Sequence, residues 1–176
     1  LEALGWDVKE PDEVQSEWTT ADGRSVDYAL KIGDRPVLLV EGKPLGDPLA
    51  NVKAIAQVVA YAATEDIEWC VLTNGAKWKV YRTREKGVAA EKLMFEVSID
   101  PKDSEAASVQ ELARALWPLS RAEMEKGTLD AQGERVFTDG KVKKALDSIM
   151  HSAPTALVNL VKKAAGEATL ASGKVR

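Results

Sequence analysis

Two short segments joined by a tight turn constrain the fold of this chain most strongly. Residues 24–32 alternate apolar and polar side chains, which is the pattern of a β-strand whose two faces meet different surroundings. Gly33-Asp34-Arg35 reads as a turn. Residues 36–43 form a second strand whose apolar run extends through Val40, as in a sheet that is buried on both faces. We therefore predict an antiparallel β-hairpin.

The hairpin also predicts which side chains face each other. If residues 33–35 form a three-residue loop, Ile32 lies opposite Pro36, and counting back along both strands places Asp27 opposite Glu41. A slip of one residue would turn one strand over and separate the two carboxylates. The register of the hairpin therefore decides whether these acidic residues meet.

A divalent cation is the simplest explanation for two opposed carboxylates. Side chains alternate along a strand, so Glu41 and Lys43 share a face, and Asp27 points to that face in this register. Like charges placed opposite each other destabilise a strand pair, whereas Mg²⁺, with Mn²⁺ as a substitute, is bound by hard oxygen ligands. Asp27, Glu41 and the Gly42 carbonyl are the candidate ligands. Lys43 is placed to orient a water or to neutralise charge on a phosphate.

A buried helix is predicted directly after the hairpin. Asp47 suits the N-cap and Pro48 the first helical position. The segment that follows is rich in alanine, apolar almost all round, and ends near Thr64.

This helix carries one polar stripe. Its members recur at intervals of four residues and are Lys53, Gln57 and Tyr61. The stripe is either the solvent face of the helix or a face turned toward a site where buried polar groups find partners. The neighbouring hairpin favours the second interpretation.

The rest of the chain continues the sheet and then becomes helical. Asn74-Gly75 predicts a type I′ hairpin turn, and a domain boundary is expected at 100–103. We predict strands at 68–73, 76–84 and 93–99, helices at 109–127, 141–150 and 153–166, and a loop at 130–140. The resulting fold class is α/β, with a mixed sheet flanked by helices at 1–100 and a C-terminal helical extension at 101–176.

Composition excludes several functional classes. The net charge is −4, which counts against a simple non-specific nucleic-acid binder. No apolar run reaches membrane-spanning length, and no basic segment precedes an apolar stretch at the start, so we expect a cytoplasmic protein. Cys70 and His151 are each the only residue of their type, which excludes a zinc site built from these residue types. We expect Cys70 to be a buried, inert thiol.

One basic cluster is a candidate for phosphate contacts. It lies on and after the second hairpin and consists of Lys77, Lys79, Arg82, Arg84 and Lys86. These cations either grip a nucleic-acid backbone, with Lys53 of the helix as a further contact, or keep an edge strand soluble. The sequence leaves both interpretations open.

The motifs together resemble a known nuclease superfamily, PD-(D/E)XK. The resemblance is to the N-terminal nuclease domain of type I restriction-enzyme motor subunits, and even more to their stand-alone relatives described as predicted type IV restriction endonucleases. It covers roughly residues 1–100, and the helical part that follows also looks similar. The segments that carry it are Val26–Leu30, Val40–Pro44, Gln57–Tyr61 and Thr73–Gly75, with Trp78 and Tyr81.

The resemblance implies a restriction-endonuclease-like fold and a role for each motif residue. Asp27 and Glu41 would hold a metal, Lys43 would be the catalytic lysine, and Gln57 and Tyr61 would position the substrate or the site. The family's acidic residue on a helix before the first strand has Glu2, or a residue upstream of Leu1, as its candidate here.

The expected function is metal-dependent hydrolysis of DNA phosphodiester bonds in restriction or defence, with a homodimer expected by analogy. The alternative is a catalytically weak module with the same fold that binds DNA or a protein. A nuclease that prefers RNA also stays open.

Overall fold

A six-stranded sheet, with its strands in sequence order, forms the centre of the protein. The computed structural model describes residues 1–21, 23–100, 108–152 and 154–164. The strands are β1 Val14–Thr19, β2 Ser25–Ile32, β3 Arg35–Gly42, β4 Trp69–Thr73, β5 Lys77–Arg82 and β6 Leu93–Ser98. The helices are α1 Val52–Thr64, α2 Val109–Leu116, α3 Arg121–Glu125, α4 Thr128–Ser152 and α5 Thr155–Ala164.

The sheet is mixed, as predicted. β3 and β4 are parallel, and every other neighbouring pair is antiparallel. A parallel pair needs a crossover connection, and α1 provides it between β3 and β4. The α/β class and the helix-flanked mixed sheet are therefore confirmed.

Both faces of the sheet are covered in its central strands. On one face α1 contributes Val58 and Ala62 to a cluster that includes Leu39 and Leu72. The cluster on the opposite face joins Leu38 to several large residues, which are Trp6, Trp69, Leu119, Met124 and Leu129. The apolar run of β3 is therefore buried on both sides, as its sequence predicts.

Several local predictions were wrong, and one strand was missed. The single helix predicted at 109–127 is divided into α2 and α3. α1 starts at Val52, because the side chain of Asn51 accepts hydrogen bonds from the backbone amides of the first turn and acts as the N-cap in place of Asp47. The Asn74-Gly75 turn is not type I′, because only Gly75 has a positive φ there among the described residues. The predicted loop at 130–140 lies within α4. The missed strand is β1.

The chain divides into two compact units, Leu1–Gly133 and Glu134–Arg176. Residues 101–103 of the expected boundary lie outside the described residues, so the division at 100 stays a prediction. None of the described helices is both long enough and apolar enough to cross a membrane.

Candidate active site

The β2–β3 hairpin has the predicted register at its open end but not at its turn. Ile32 pairs with Arg35, so the loop has two residues, and the predicted pairing of Ile32 with Pro36 is wrong. A bulge between Leu30 and Lys31 shifts the register by one residue. Tyr28 consequently pairs with Val40, and the next position along the same register places Asp27 opposite Glu41. The shorter turn and the bulge shift the register by one residue in opposite directions, so their effects on the pairing of Asp27 cancel.

The end of β3 brings Glu41 and Lys43 together. The Lys43 ammonium lies 2.7 Å from Glu41 Oε1, and the two side chains are only 25% and 14% exposed. Glu41 pairs in register with Leu72, which belongs to the cluster under α1. The backbone amide of Lys43 donates to the Thr73 carbonyl at 2.7 Å and extends the parallel pairing beyond the strand. The ion pair therefore lies on the α1 face and at the end of the strand.

Asp27 reaches the same short segment from β2. Its Oδ2 atom accepts a hydrogen bond from the Gly42 amide at 2.6 Å. A Cβ on residue 42 would lie 3.2 Å from that oxygen, so glycine provides the space for this approach. The predicted trio therefore meets at Gly42. Asp27 binds its amide, and Glu41 and Lys43 flank it.

The ladder between β1 and β2 is distorted next to Asp27. Ser16 pairs with Tyr28 and Trp18 with Val26, and these pairs flank Glu17. Glu17 has a φ of 49°, a left-handed conformation that costs a side-chain-bearing residue roughly 1–2 kcal/mol. Strained backbone of this kind concentrates at functional sites. Nothing in the alternation of residues 14–19 predicted this conformation.

Two residues of the polar stripe on α1 are joined by a hydrogen bond. Gln57 Nε2 donates to the Tyr61 hydroxyl at 2.6 Å. Tyr61 is buried in the cluster that also contains Leu39 and Leu72, whereas Gln57 and Lys53 are exposed. The stripe therefore lies on the helix that covers the Glu41–Lys43 face, and it runs from solvent into the core.

Most residues of the basic cluster form ion pairs. Lys79 lies 3.3 Å from a Glu96 carboxylate oxygen. Arg84 pairs with Glu68 at 3.0 Å. Lys77 is half-buried in β5, and Lys86 is exposed beyond it. Lys79 nevertheless lies in the same row across the sheet as Glu41, with Leu72 between them.

Arg82 differs from its neighbours because it is buried. Its side chain is 6% exposed and lies 2.6 Å from Glu68 Oε1. Its guanidinium also lies 5.7 Å from the centre of the Trp69 ring. A buried, paired and stacked guanidinium of this kind is typical of a packing role.

Asn74 holds the loop that follows Lys43, a role that the sequence did not reveal. Its side-chain amide donates to the carbonyls of Leu45 and Asp47 at 3.1 and 2.8 Å, and its Oδ1 atom accepts from the Lys77 amide at 2.7 Å. Asn74 thus ties the loop after Lys43 to the β4–β5 turn. The Asn-Gly pair indicated a turn, but these long-range contacts leave no mark in local sequence.

The donor set suits magnesium in kind, and it is small. Asp27 and Glu41 each have one carboxylate oxygen beyond those engaged with the Gly42 amide and the Lys43 ammonium. Mg²⁺ commonly keeps several waters and takes one or two protein carboxylates. Within the described part of the chain, no group of three or more His, Cys, Asp or Glu residues is arranged to hold a metal ion. A cation here would therefore bind through two carboxylates and water, with the Gly42 carbonyl as the candidate backbone ligand.

Comparison with known proteins supports the fold alone. No model of a protein family matches the chain, and no curated protein does. Among solved structures, the chain is similar to the type IIG restriction endonuclease BpuSI, with a TM-score of 0.51 over 68% of this chain and 16% identity. The fold is restriction-endonuclease-like. The matched region spans 14% of the BpuSI chain.

Proposed function

We propose that this protein is a metal-dependent endonuclease that hydrolyses phosphodiester bonds of DNA in restriction or defence. The observation that carries the proposal is the meeting of Asp27, Glu41 and Lys43 at Gly42, at the end of a strand of a restriction-endonuclease-like sheet. Two carboxylates can hold Mg²⁺, which supplies an activated water for phosphodiester hydrolysis, and a neighbouring ammonium can offset charge on the phosphate.

Each residue would have a distinct task. Asp27 and Glu41 would hold Mg²⁺ or Mn²⁺, which when bound polarises the phosphate and lowers the pKa of a water. The Gly42 amide orients the Asp27 carboxylate, and the Glu41 carboxylate orients the Lys43 ammonium. Lys43 is thereby held ready to neutralise charge that develops on the phosphate and to orient the attacking water.

Substitution of the three residues tests the proposal. Asp27→Ala, Glu41→Ala and Lys43→Ala should each lower the rate of plasmid cleavage in Mg²⁺ or Mn²⁺ by about a hundredfold or more. Circular dichroism should report an intact fold, because all three side chains lie outside the two apolar clusters. Cutting at the wild-type rate by all three variants would refute the assignment.

A binding module with little or no catalysis is the second candidate. The absence of a third acidic or histidine ligand among the described residues favours it. Titration calorimetry with Mg²⁺ and Mn²⁺ separates the two functions. Heat of binding that disappears in Asp27→Ala supports the nuclease, and a flat titration of the wild type supports the binding module.

The substrate and the assembly are further parts of the proposal. We propose DNA as the substrate, and not RNA, because of the family resemblance alone. Parallel cleavage assays with DNA and RNA decide between the two substrates. Cutting both strands of a duplex generally needs two active sites, so we expect a homodimer on DNA by analogy. Sedimentation with and without a DNA duplex measures this directly.

A further inference from the structure

A groove of about 680 Å³ lies against the face of the sheet that is opposite α1. Val40 of β3 and Thr73 of β4 line it from the sheet, and Val40 belongs to the apolar cluster on that face. Leu1, Glu2 and Ala3 line it from the start of the chain. The volume is within the range of sites that bind small molecules, so the groove has room for a ligand group.

Gly42 connects the groove to the proposed site. It lies two residues after Val40 on β3, so a side chain at residue 42 would point to the groove face. A Cβ at this position would lie 3.2 Å from Asp27 Oδ2. Thr73, which lines the groove, pairs with Gly42 on the parallel strand. The Asp27 carboxylate, a proposed metal ligand, is therefore a close neighbour of the groove.

Two aromatic side chains line the groove. Tyr28 pairs with Val40 and so faces the same side of the sheet, yet its side chain is 40% exposed. Trp78 of β5 packs partly against the apolar cluster, and its Nε1 atom donates to the Gly75 carbonyl at 3.2 Å, which holds the ring in place. Aromatic rings that stay open to a groove offer a surface on which a flat group can stack.

The charge of the groove disfavours a phosphate as its occupant. Among the described residues that line it, Glu2 has the only charged side chain. A phosphate there would meet a carboxylate and no basic side chain, whereas a flat, uncharged group would stack on the rings without that repulsion. Within a nucleotide the base is one sugar away from the phosphate. A phosphate held at Gly42 therefore leaves its own or a neighbouring base close to the groove.

We propose that this groove binds the base of a DNA nucleotide next to the scissile phosphate, stacked on Tyr28 and Trp78. The assignment rests on the proposed nuclease function and adds a substrate contact to it. The bound base is unpaired, either because the DNA is single-stranded there or because the base is rotated out of the duplex. Stacking on aromatic rings accepts any of the four bases, so the groove orients the nucleotide without reading its sequence.

Anisotropy of a fluorescein-labelled single strand of DNA, measured with Ca²⁺ in place of Mg²⁺, tests the assignment. The second probe is the same strand with abasic sites, which keeps the phosphates and removes the bases. The wild type should bind the base-bearing strand about tenfold more tightly than the abasic strand. Tyr28→Leu should lose about that factor for the base-bearing strand. Its slope of log Kd against log salt concentration should not change, because no phosphate contact is lost.

Three further measurements separate stacking in the groove from a structural effect. The affinity of Tyr28→Leu for the abasic strand should equal that of the wild type, which also shows that the variant is folded. Tyr28→Phe keeps the ring and should bind both strands as the wild type does. Trp117→Leu is the matched control, because it removes a ring that is 53% exposed but lies outside the groove. It should also bind both strands as the wild type does.

The outcomes distinguish this inference from the function it rests on. The groove assignment is overturned by a wild type that binds both strands equally or binds neither. It is also overturned if Tyr28→Leu loses affinity for both strands, or if Trp117→Leu loses as much as Tyr28→Leu. The nuclease proposal is judged separately, by plasmid cleavage that Lys43→Ala abolishes. Base-dependent binding through Tyr28 in a protein that cuts no plasmid would support the groove and overturn the nuclease.

Discussion

At the scale of single residues, Gly42 connects the parts of the proposed site. Its amide holds Asp27, and its neighbours are the ion-paired Glu41 and Lys43. The spacing of Glu41 and Lys43 on one face follows from strand alternation, so sequence alone could predict it. The hydrogen bond from Gly42 to Asp27 joins two strands, and local sequence does not encode such a contact.

Gly42→Ala tests this connection. The added methyl group would lie 3.2 Å from the Asp27 carboxylate and should push it away from the amide. We expect cleavage to fall by about tenfold, in line with the cost of misplacing a catalytic group, while the melting temperature changes little. Gly46→Ala is the control, because a Cβ there meets no atom within 4 Å. Equal activity of both variants would contradict the role of Gly42.

At the scale of elements, packing decided what local sequence could not. The strands β2 to β6 follow from alternating or continuous apolar runs, and each was predicted. A loop was predicted at 130–140, yet the segment is helical. The start of this segment is held by a tertiary contact. Gly133 lies against the Trp69 ring, and Trp69 donates to Asp130 one turn earlier.

The two glycines of α4 should respond in opposite ways to alanine. At Gly133 a Cβ would lie 2.6 Å from the Trp69 ring, so Gly133→Ala should destabilise the protein by about 1–3 kcal/mol through overpacking. At Gly140 a Cβ meets nothing within 4 Å, so Gly140→Ala should stabilise the helix by up to about 1 kcal/mol. Thermal unfolding followed by circular dichroism measures both. A stabilising Gly133→Ala would show that the Trp69 contact is absent.

At the scale of the whole molecule, the sheet is closed to solvent on both faces at its centre. Cys70 lies in β4, is 0% exposed, and packs in the cluster under α1. Burial raises the pKa of its thiol, so the reactive thiolate is scarce in the folded state. The apolar context of the strand had predicted a buried, inert thiol. The unit Leu1–Gly133 therefore has a solvent-excluded interior, and the proposed site lies outside its two apolar clusters.

Thiol labelling should report opening of that interior. Cys70 should resist a maleimide reagent in the native protein and react at once in denaturant, with a native labelling rate that follows the free energy of unfolding. His151 and the other nucleophilic side chains carry no thiol. The thiol signal therefore reports Cys70 alone, because it is the only cysteine of the sequence. Rapid labelling under native conditions would contradict the described burial.

The rate of Mg²⁺-dependent plasmid cleavage, compared between the wild type and Lys43→Ala, tests the central claim most directly. Lys31→Ala on the same hairpin is the matched control, because it also removes one lysine but lies toward the turn end. The account predicts cutting by the wild type and by Lys31→Ala, and a loss of about a hundredfold or more in Lys43→Ala. Equal cutting by all three proteins, or a wild-type rate that chelation of the metal leaves unchanged, would contradict it.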